Sequence, residues 1–206
     1  MGRHLTISLL STTLFSCLMD RALRLEELRN EFSSSQCARV YPDVKNIVWM
    51  RGSSDPDIVF VGEAPGREED EQGLPFVGPS GKLLDRWCEH LGIEDYAIVN
   101  VMKTRPPGNR NPTPAEVASC SGWLDRQLEI LDPRIVICLG AFAMAHFMPK
   151  RKGVLANTKR LLEERFFVVP HPSFFLRRGG SGWEEYVEPL RSILKGEQRT
   201  LDEAIK

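Results

Sequence analysis

The stretch Ile58-Val59-Phe60-Val61-Gly62-Glu63-Ala64-Pro65-Gly66 decides the fold. An apolar, largely β-branched run with no polar alternation suits a strand buried on both faces, as in a parallel sheet. The Gly/Pro-rich turn behind it lets backbone N–H groups approach a ligand closely. Three further runs read alike: Tyr96 to Val101, Ile135 to Leu139 and Phe166 to Val169. Helical patterns stand around them. Arg21 to Phe32 spaces Leu23, Leu25, Leu28 and Phe32 among charges, and Ser80 to Leu91 puts Leu83, Leu84, Trp87, Cys88 and Leu91 on one face. Thr113 to Leu131 opens on Thr113-Pro114-Ala115-Glu116, a capping box with proline at the first helical position. Trp183 to Leu194 is the last amphipathic pattern. Strands alternating with helices predict an α/β layered fold with a mainly parallel sheet. In such sheets ligands bind beyond the carboxyl ends of the strands, so the segment after each apolar run is where chemistry is sought.

After the first run comes Gly62-Glu63-Ala64-Pro65-Gly66, then the acidic stretch Glu68 to Glu71, then Pro75-Phe76-Val77-Gly78. Read alone, this is either an ordinary turn with a solvated acidic run or a ligand loop. Phe76 is either a core residue or a stacking platform. After the second run, Asn100 offers a donor and an acceptor to a base edge. Lys103, Arg105 and Arg110 follow, stiffened by Pro106-Pro107-Gly108, as a basic loop suited to phosphates. After the third, Gly140-Ala141 opens a short helix. After the fourth, His171 stands between Pro170 and Pro172, followed by Ser173, Phe174, Phe175, Leu176, Arg177 and Arg178.

Composition sets the frame. With 42% hydrophobic and 27% charged residues, the chain reads as an ordinary globular protein. A net charge of -1 provides no global basic field, so contact with nucleic acid must come from local patches. Five scattered cysteines (Cys17, Cys37, Cys88, Cys120, Cys138) suit reduced thiols better than a disulfide framework. Cys88 and Cys138 fall on apolar elements and read as core. Leu5 to Met19 imitates a weak secretory signal but is short and Ser/Thr-rich for a membrane span. The expected organisation is an N-terminal segment over 1–20, one domain over 21–195 and a tail over 196–206.

Taken together, VFVGEAPGREEDEQGLPFVGPSGKLLD, NVMKTRPPGNRNPTPAEVASC and VVPHPSFFLRR resemble family 4 of the uracil-DNA glycosylase superfamily, over roughly Leu25 to Leu194. The resemblance implies a three-layer αβα sandwich around a central, mainly parallel four-stranded sheet. It implies a monofunctional enzyme that flips uracil out of DNA and cuts its N-glycosidic bond, leaving an abasic site for base excision repair. Residue by residue, it assigns Phe76 to stack on the base and Asn100 to read its edge, with Gly62 and Ala64 beside them. His171 would donate to uracil O2, and Glu63 would position water or stabilise the sugar cation. Lys103, Arg105, Arg110, Ser173, Arg177 and Arg178 would hold DNA, and Phe175 with Leu176 would fill the gap left by the flipped nucleotide. The water-activating aspartate of the superfamily's best-known branch is absent, since Ala64 follows Glu63.

The resemblance also implies a [4Fe-4S] cluster on four cysteines. Cys37 and Cys120 match two of those positions, but Val40 and Thr104 stand at the others. The expectation is an enzyme without the cluster, its loop from Cys37 to Ile58 braced by Val40, Tyr41, Val44, Ile47, Val48 and Trp49. Further expectations are a monomer, no membrane partner, and work on DNA in the cytoplasm, associated with the nucleoid. Two alternatives stay open: a glycosylase for hypoxanthine or xanthine, and a relative that grips uracil or abasic DNA without turnover. The acidic Glu68 to Glu71 loop speaks against the branch that traps uracil covalently through a basic insert.

Overall fold

The four apolar runs form four parallel strands, β2 (Ile58–Gly62), β3 (Tyr96–Asn100), β4 (Ile135–Leu139) and β6 (Phe166–Val169), lying side by side in the order β3-β2-β4-β6. The computed structural model describes residues 5–195, with side chains from residue 20 onward. The expected tail at 196–206 lies outside the described residues, as do the side chains of most of the expected N-terminal segment. Two short antiparallel edges complete a six-stranded sheet: β1 (Arg51–Gly52) beside β3 and β5 (Leu161–Leu162) beside β6. At two residues each, neither edge leaves a periodic pattern to read in the sequence.

Alternation along the strands builds two cores. Val59, Val61, Ala97, Val99, Val136, Cys138 and Val168 face one layer, made by α1 (Leu5–Ser34), α4 (Pro114–Cys120), α5 (Gly122–Leu131) and α6 (Ala141–Phe147). Ile58, Phe60, Ile98, Ile135, Ile137, Phe167 and Val169 face the other, made by α3 (Pro79–Leu91), α7 (Pro172–Leu176) and α8 (Glu184–Leu194). Each fully buried Val, Ile or Phe among these contributes about 1.5–3 kcal/mol, so both faces of the sheet must be covered. The result is the three-layer αβα sandwich. Among the described residues no helix is long and apolar enough to cross a membrane.

Two helices differ from their sequence patterns. The first starts earlier, at Leu5. The expected helix over Thr113 to Leu131 is broken at Ser121 into α4 and α5, although its capping box forms as read. Glu116 N–H donates to Thr113 Oγ1 at 3.3 Å, and Thr113 N–H donates to the Glu116 carboxylate at 2.7 Å. In the loop before β2, Tyr41 and Trp49 enter the core, Val48 is fully buried, and Val40, Val44 and Ile47 pack against the core.

Candidate active site

The parallel register sets Gly62 opposite Asn100 at the carboxyl ends of β2 and β3. Just past the neighbouring ends, the Gly140 N–H donates to the Val169 carbonyl at 2.8 Å, bringing the turns after β4 and β6 together. The loops leaving these four ends enclose a cleft of about 810 Å³. Glu63, Ala64, Phe76, Asn100, Arg105, Arg110, His171, Ser173 and Arg177 all line it.

Phe76 is held in a conformation that needs support. It is a left-handed residue (φ 56°) and nearly buried. Glu69 provides the support: its carboxylate accepts the N–H groups of Gly66 at 3.1 Å, Val77 at 3.0 Å and Gly78 at 2.9 Å, pinning both ends of the loop. Neighbouring Asp70 is buried and accepts from the N–H groups of Lys45 and Asn46. The acidic run is therefore not merely a solvated face. Glu69 stands at the third position of α2 (Arg67–Gln72), three residues past Gly66, and makes the carboxylate half of a capping box, with no Ser or Thr at the cap to signal it in the sequence.

The ring of Phe76 lies against Gly62. A Cβ there would meet the ring at 2.6 Å and Asn100 Oδ1 at 2.4 Å. Gly62 thus does not face the cleft but allows the phenyl ring and the amide to close together beside the strand end. Asn100 is buried, and neither Oδ1 nor Nδ2 has a hydrogen-bond partner. A buried amide with both ends unpaired is costly unless a ligand satisfies it, and such exceptions call for explanation.

His171 caps α7 from the end of β6. The backbone N–H of Ser173 donates to its Nδ1 at 3.2 Å, and the Ser173 hydroxyl lies 2.9 Å from the same atom. With Nδ1 accepting, the proton of the neutral ring sits on Nε2. Burial, with the Arg177 charge adding to it, lowers the imidazole pKa to about 4. The ring is therefore neutral at physiological pH. Glu63 responds in the opposite sense: burial raises its carboxyl to about 7.

Two sequence assignments are corrected. Lys103 is buried, with its ammonium donating to the Asn100 carbonyl at 2.8 Å and to Gln127 Oε1, so it cannot reach a phosphate. The stretch from Lys103 to Arg110 reads as one basic loop, but its first residue turns back under the sheet end. Phe175 is also buried, with its ring centroid 5.7 Å from that of Trp87 and 5.4 Å from that of Tyr186. Successive helical residues point about 100° apart, so on α7 Phe175 faces the core and, of the two, Leu176 is the exposed one.

The other arginines divide by engagement. Arg105 lines the cleft with its Nε donating to Asn109 at 2.6 Å, and Arg177 donates to the Ser173 hydroxyl at 3.2 Å. Arg178 is exposed, 4.2 Å over the Phe174 ring. Arg110 forks onto Glu116 at 2.7 and 2.9 Å and stacks over Tyr41, so much of its charge is already paired.

The residues at the implied cluster positions do not fit a cubane. Cys37 and Cys120 are buried near each other, and the Cys37 thiol donates to the Ser119 carbonyl at 3.1 Å. Burial and the neighbouring Cys37 thiol push the Cys120 thiol pKa up to about 12. Thr104 is buried with its hydroxyl unpaired, and Val40 has no donor atom to offer iron. Among the described residues no group of three or more His, Cys, Asp or Glu side chains is arranged to hold a metal.

Comparison with known proteins agrees with this geometry. Residues 50–194 match the model of the uracil DNA glycosylase superfamily. A type-4 uracil-DNA glycosylase of Thermotoga maritima is 39% identical over 163 residues, covering 74% of this chain and 85% of the relative. The chain belongs to the type-4 uracil-DNA glycosylases. The type-4 enzyme of Saccharolobus solfataricus is 34% identical over 195 residues, 88% of this chain and 86% of its own length. That of Archaeoglobus fulgidus is 46% identical over 121 residues, and the match spans 58% of this chain and 61% of that relative. The type-4 assignment agrees with the reading of the three sequence strings.

Proposed function

We propose that this type-4 glycosylase excises uracil from DNA by hydrolysing the N-glycosidic bond of a flipped nucleotide, without an iron–sulfur cluster. The observation that carries the reading is the Asn100 amide. Its buried, unpaired donor and acceptor lie beside a fixed aromatic ring and match the paired acceptor and donor on the edge of uracil. In this reading the base stacks on Phe76 and is read by Asn100.

As the bond from C1′ to N1 breaks, its electron pair leaves with the base and charge gathers on O2. The neutral His171 donates from Nε2 to that oxygen, and a preorganised donor of this kind contributes on the order of 3 kcal/mol to lowering the barrier. On the sugar side, C1′ becomes cationic. The Glu63 carboxylate stabilises that cation and accepts a proton from the water that adds to C1′. Donor and carboxylate thus serve opposite ends of one breaking bond. Leu176 fills the vacated stack, and Arg105, Arg177 and Arg178 hold phosphates. The protein works as a monomer on DNA in the cytoplasm.

The test is a strand-cleavage assay on oligonucleotides carrying a single uracil, hypoxanthine or xanthine. Alkali-labile abasic sites at uracil, formed at the highest rate of the three, support the reading. Preferred cleavage at hypoxanthine or xanthine, or tight binding without cleavage, overturns it.

A further inference from the structure

Lys103 is among the most deeply buried large side chains of the protein, and the proposed chemistry does not use it. Its ammonium donates to the Asn100 carbonyl at 2.8 Å and to Gln127 Oε1 on α5, and stands 5.3 Å from the centroid of the Trp49 ring. Gln127 is itself tied to the Trp49 carbonyl through Nε2 at 3.3 Å. Burying a lone ammonium is costly, and these groups, with the nearby Asp125 charge, offset it. Its removal from water is counted in a lowering of its pKa to about 7.

What the ammonium holds is specific. Beyond β3 the chain leaves the sheet, and the N–H groups of Val101 and Met102 donate to the carbonyls of Gly62 and Glu63 at 3.0 and 2.9 Å. The Asn100 carbonyl is fixed by Lys103. The Asn100 side chain makes no hydrogen bond within the protein. Its direction therefore depends on its backbone and on packing against Phe76 and Gly62.

We propose that Lys103 is a positioning residue for base recognition: its ammonium fixes the Asn100 carbonyl, and through that backbone aims the Asn100 amide at the base edge. The inference rests on the uracil-reading role of Asn100. The corrected placement of Lys103 thus gives a residue of the basic loop an internal function.

The experiment compares Lys103→Met, Gln127→Leu, Asn100→Ala and the double variant Lys103→Met/Asn100→Ala in the full chain. All are assayed on uracil-containing single strands below every melting transition. Inhibition by free uracil is measured alongside. Lys103→Met should lower kcat/KM by about 10- to 100-fold, the scale of one charge-assisted hydrogen bond. It should weaken free-uracil inhibition to a similar degree. Gln127→Leu loosens the same buried cluster but leaves the donor to Asn100, so its loss should be clearly smaller at a comparable melting temperature. In the Asn100→Ala background, Lys103→Met should cost less than about threefold, because the amide it aims is gone. Equal losses in Lys103→Met and Gln127→Leu, or full additivity in the double variant, would overturn the proposal. If the wild type itself leaves uracil strands uncut, the uracil reading fails, which is a different result from additivity in an active enzyme.

Discussion

The Phe76 ring and the His171 imidazole stand 5.6 Å apart, tilted by 41°, although one belongs to the loop after β2 and the other to the end of β6. In the proposed reading, a planar base entering from the cleft would meet the stacking surface and the oxyanion donor together. Neither ring carries this arrangement alone. Phe76 depends on the Glu69 carboxylate behind it, and His171 on the Ser173 N–H that sets its tautomer.

Gly62 is where this closeness can be broken most simply. In Gly62→Ala the new methyl would press on the Phe76 ring at 2.6 Å and on Asn100 Oδ1 at 2.4 Å. Overpacking of this kind costs about 1–3 kcal/mol, so a melting-temperature drop of several degrees is expected. Uracil excision should fall by at least about tenfold more than the stability loss explains, because both base-contacting groups move. A melting curve beside single-turnover rates checks it; unchanged excision would show that the two groups do not jointly hold the base.

The pH profile should have an ascending limb near neutrality. With its carboxyl near 7, Glu63 gains its charge as pH rises through that value. His171, near 4, is already neutral there and contributes no limb above about pH 5, whereas Lys103, lowered to about 7, loses its charge over the same range and bends the profile down on the alkaline side. In Glu63→Gln the limb should vanish along with most activity. Stability should move the other way. A carboxyl raised in the folded state contributes most below its unfolded value, and that contribution is lost as pH rises through about 7. Glu63→Gln should therefore gain melting temperature relative to wild type at pH 8 and lose that advantage near pH 4. Melting scans at the two pH values measure it.

Purified protein should be colourless and should lack stoichiometric iron and acid-labile sulfide when prepared anaerobically. The reason is that only Cys37 and Cys120 of the four positions carry thiols, with Val40 and Thr104 at the other two. Iron and sulfide at cluster stoichiometry would contradict it.

Much of the fold could be read directly from the sequence, because strands buried on both faces leave unbroken apolar runs and the layers follow from covering them. The turns that line the cleft were readable for the same reason: Glu63 and His171 each follow such a run, and Asn100 closes one. Side-chain direction was not. Lys103 lies in a basic string and Phe175 beside Leu176, and only the path of the backbone shows that Lys103 turns inward and that Phe175 points to the core. Glu69 was hidden within an acidic run whose charge was visible but whose three N–H partners come from residues on either side of it.

DNA binding should weaken with salt through the exposed arginines alone. Each phosphate contact contributes about 0.9 to the slope of log K against log salt. Arg177→Ala and Arg178→Ala should each reduce the slope by about that amount. Arg110→Ala should reduce it less, since its guanidinium is forked onto Glu116, and Lys103→Met should leave it unchanged. Fluorescence anisotropy across a salt series reads all four. A slope that falls with Lys103→Met would return that residue to the phosphate face.

The most direct measurement is single-turnover excision of uracil by His171→Ala. In the proposed mechanism His171 has one task, donation from Nε2 to the oxygen where charge develops, and its side chain stands in the cleft wall. Excision should fall by about 10² or more, with a circular dichroism spectrum like that of the wild type. Near-native excision by His171→Ala would contradict the mechanism at its centre.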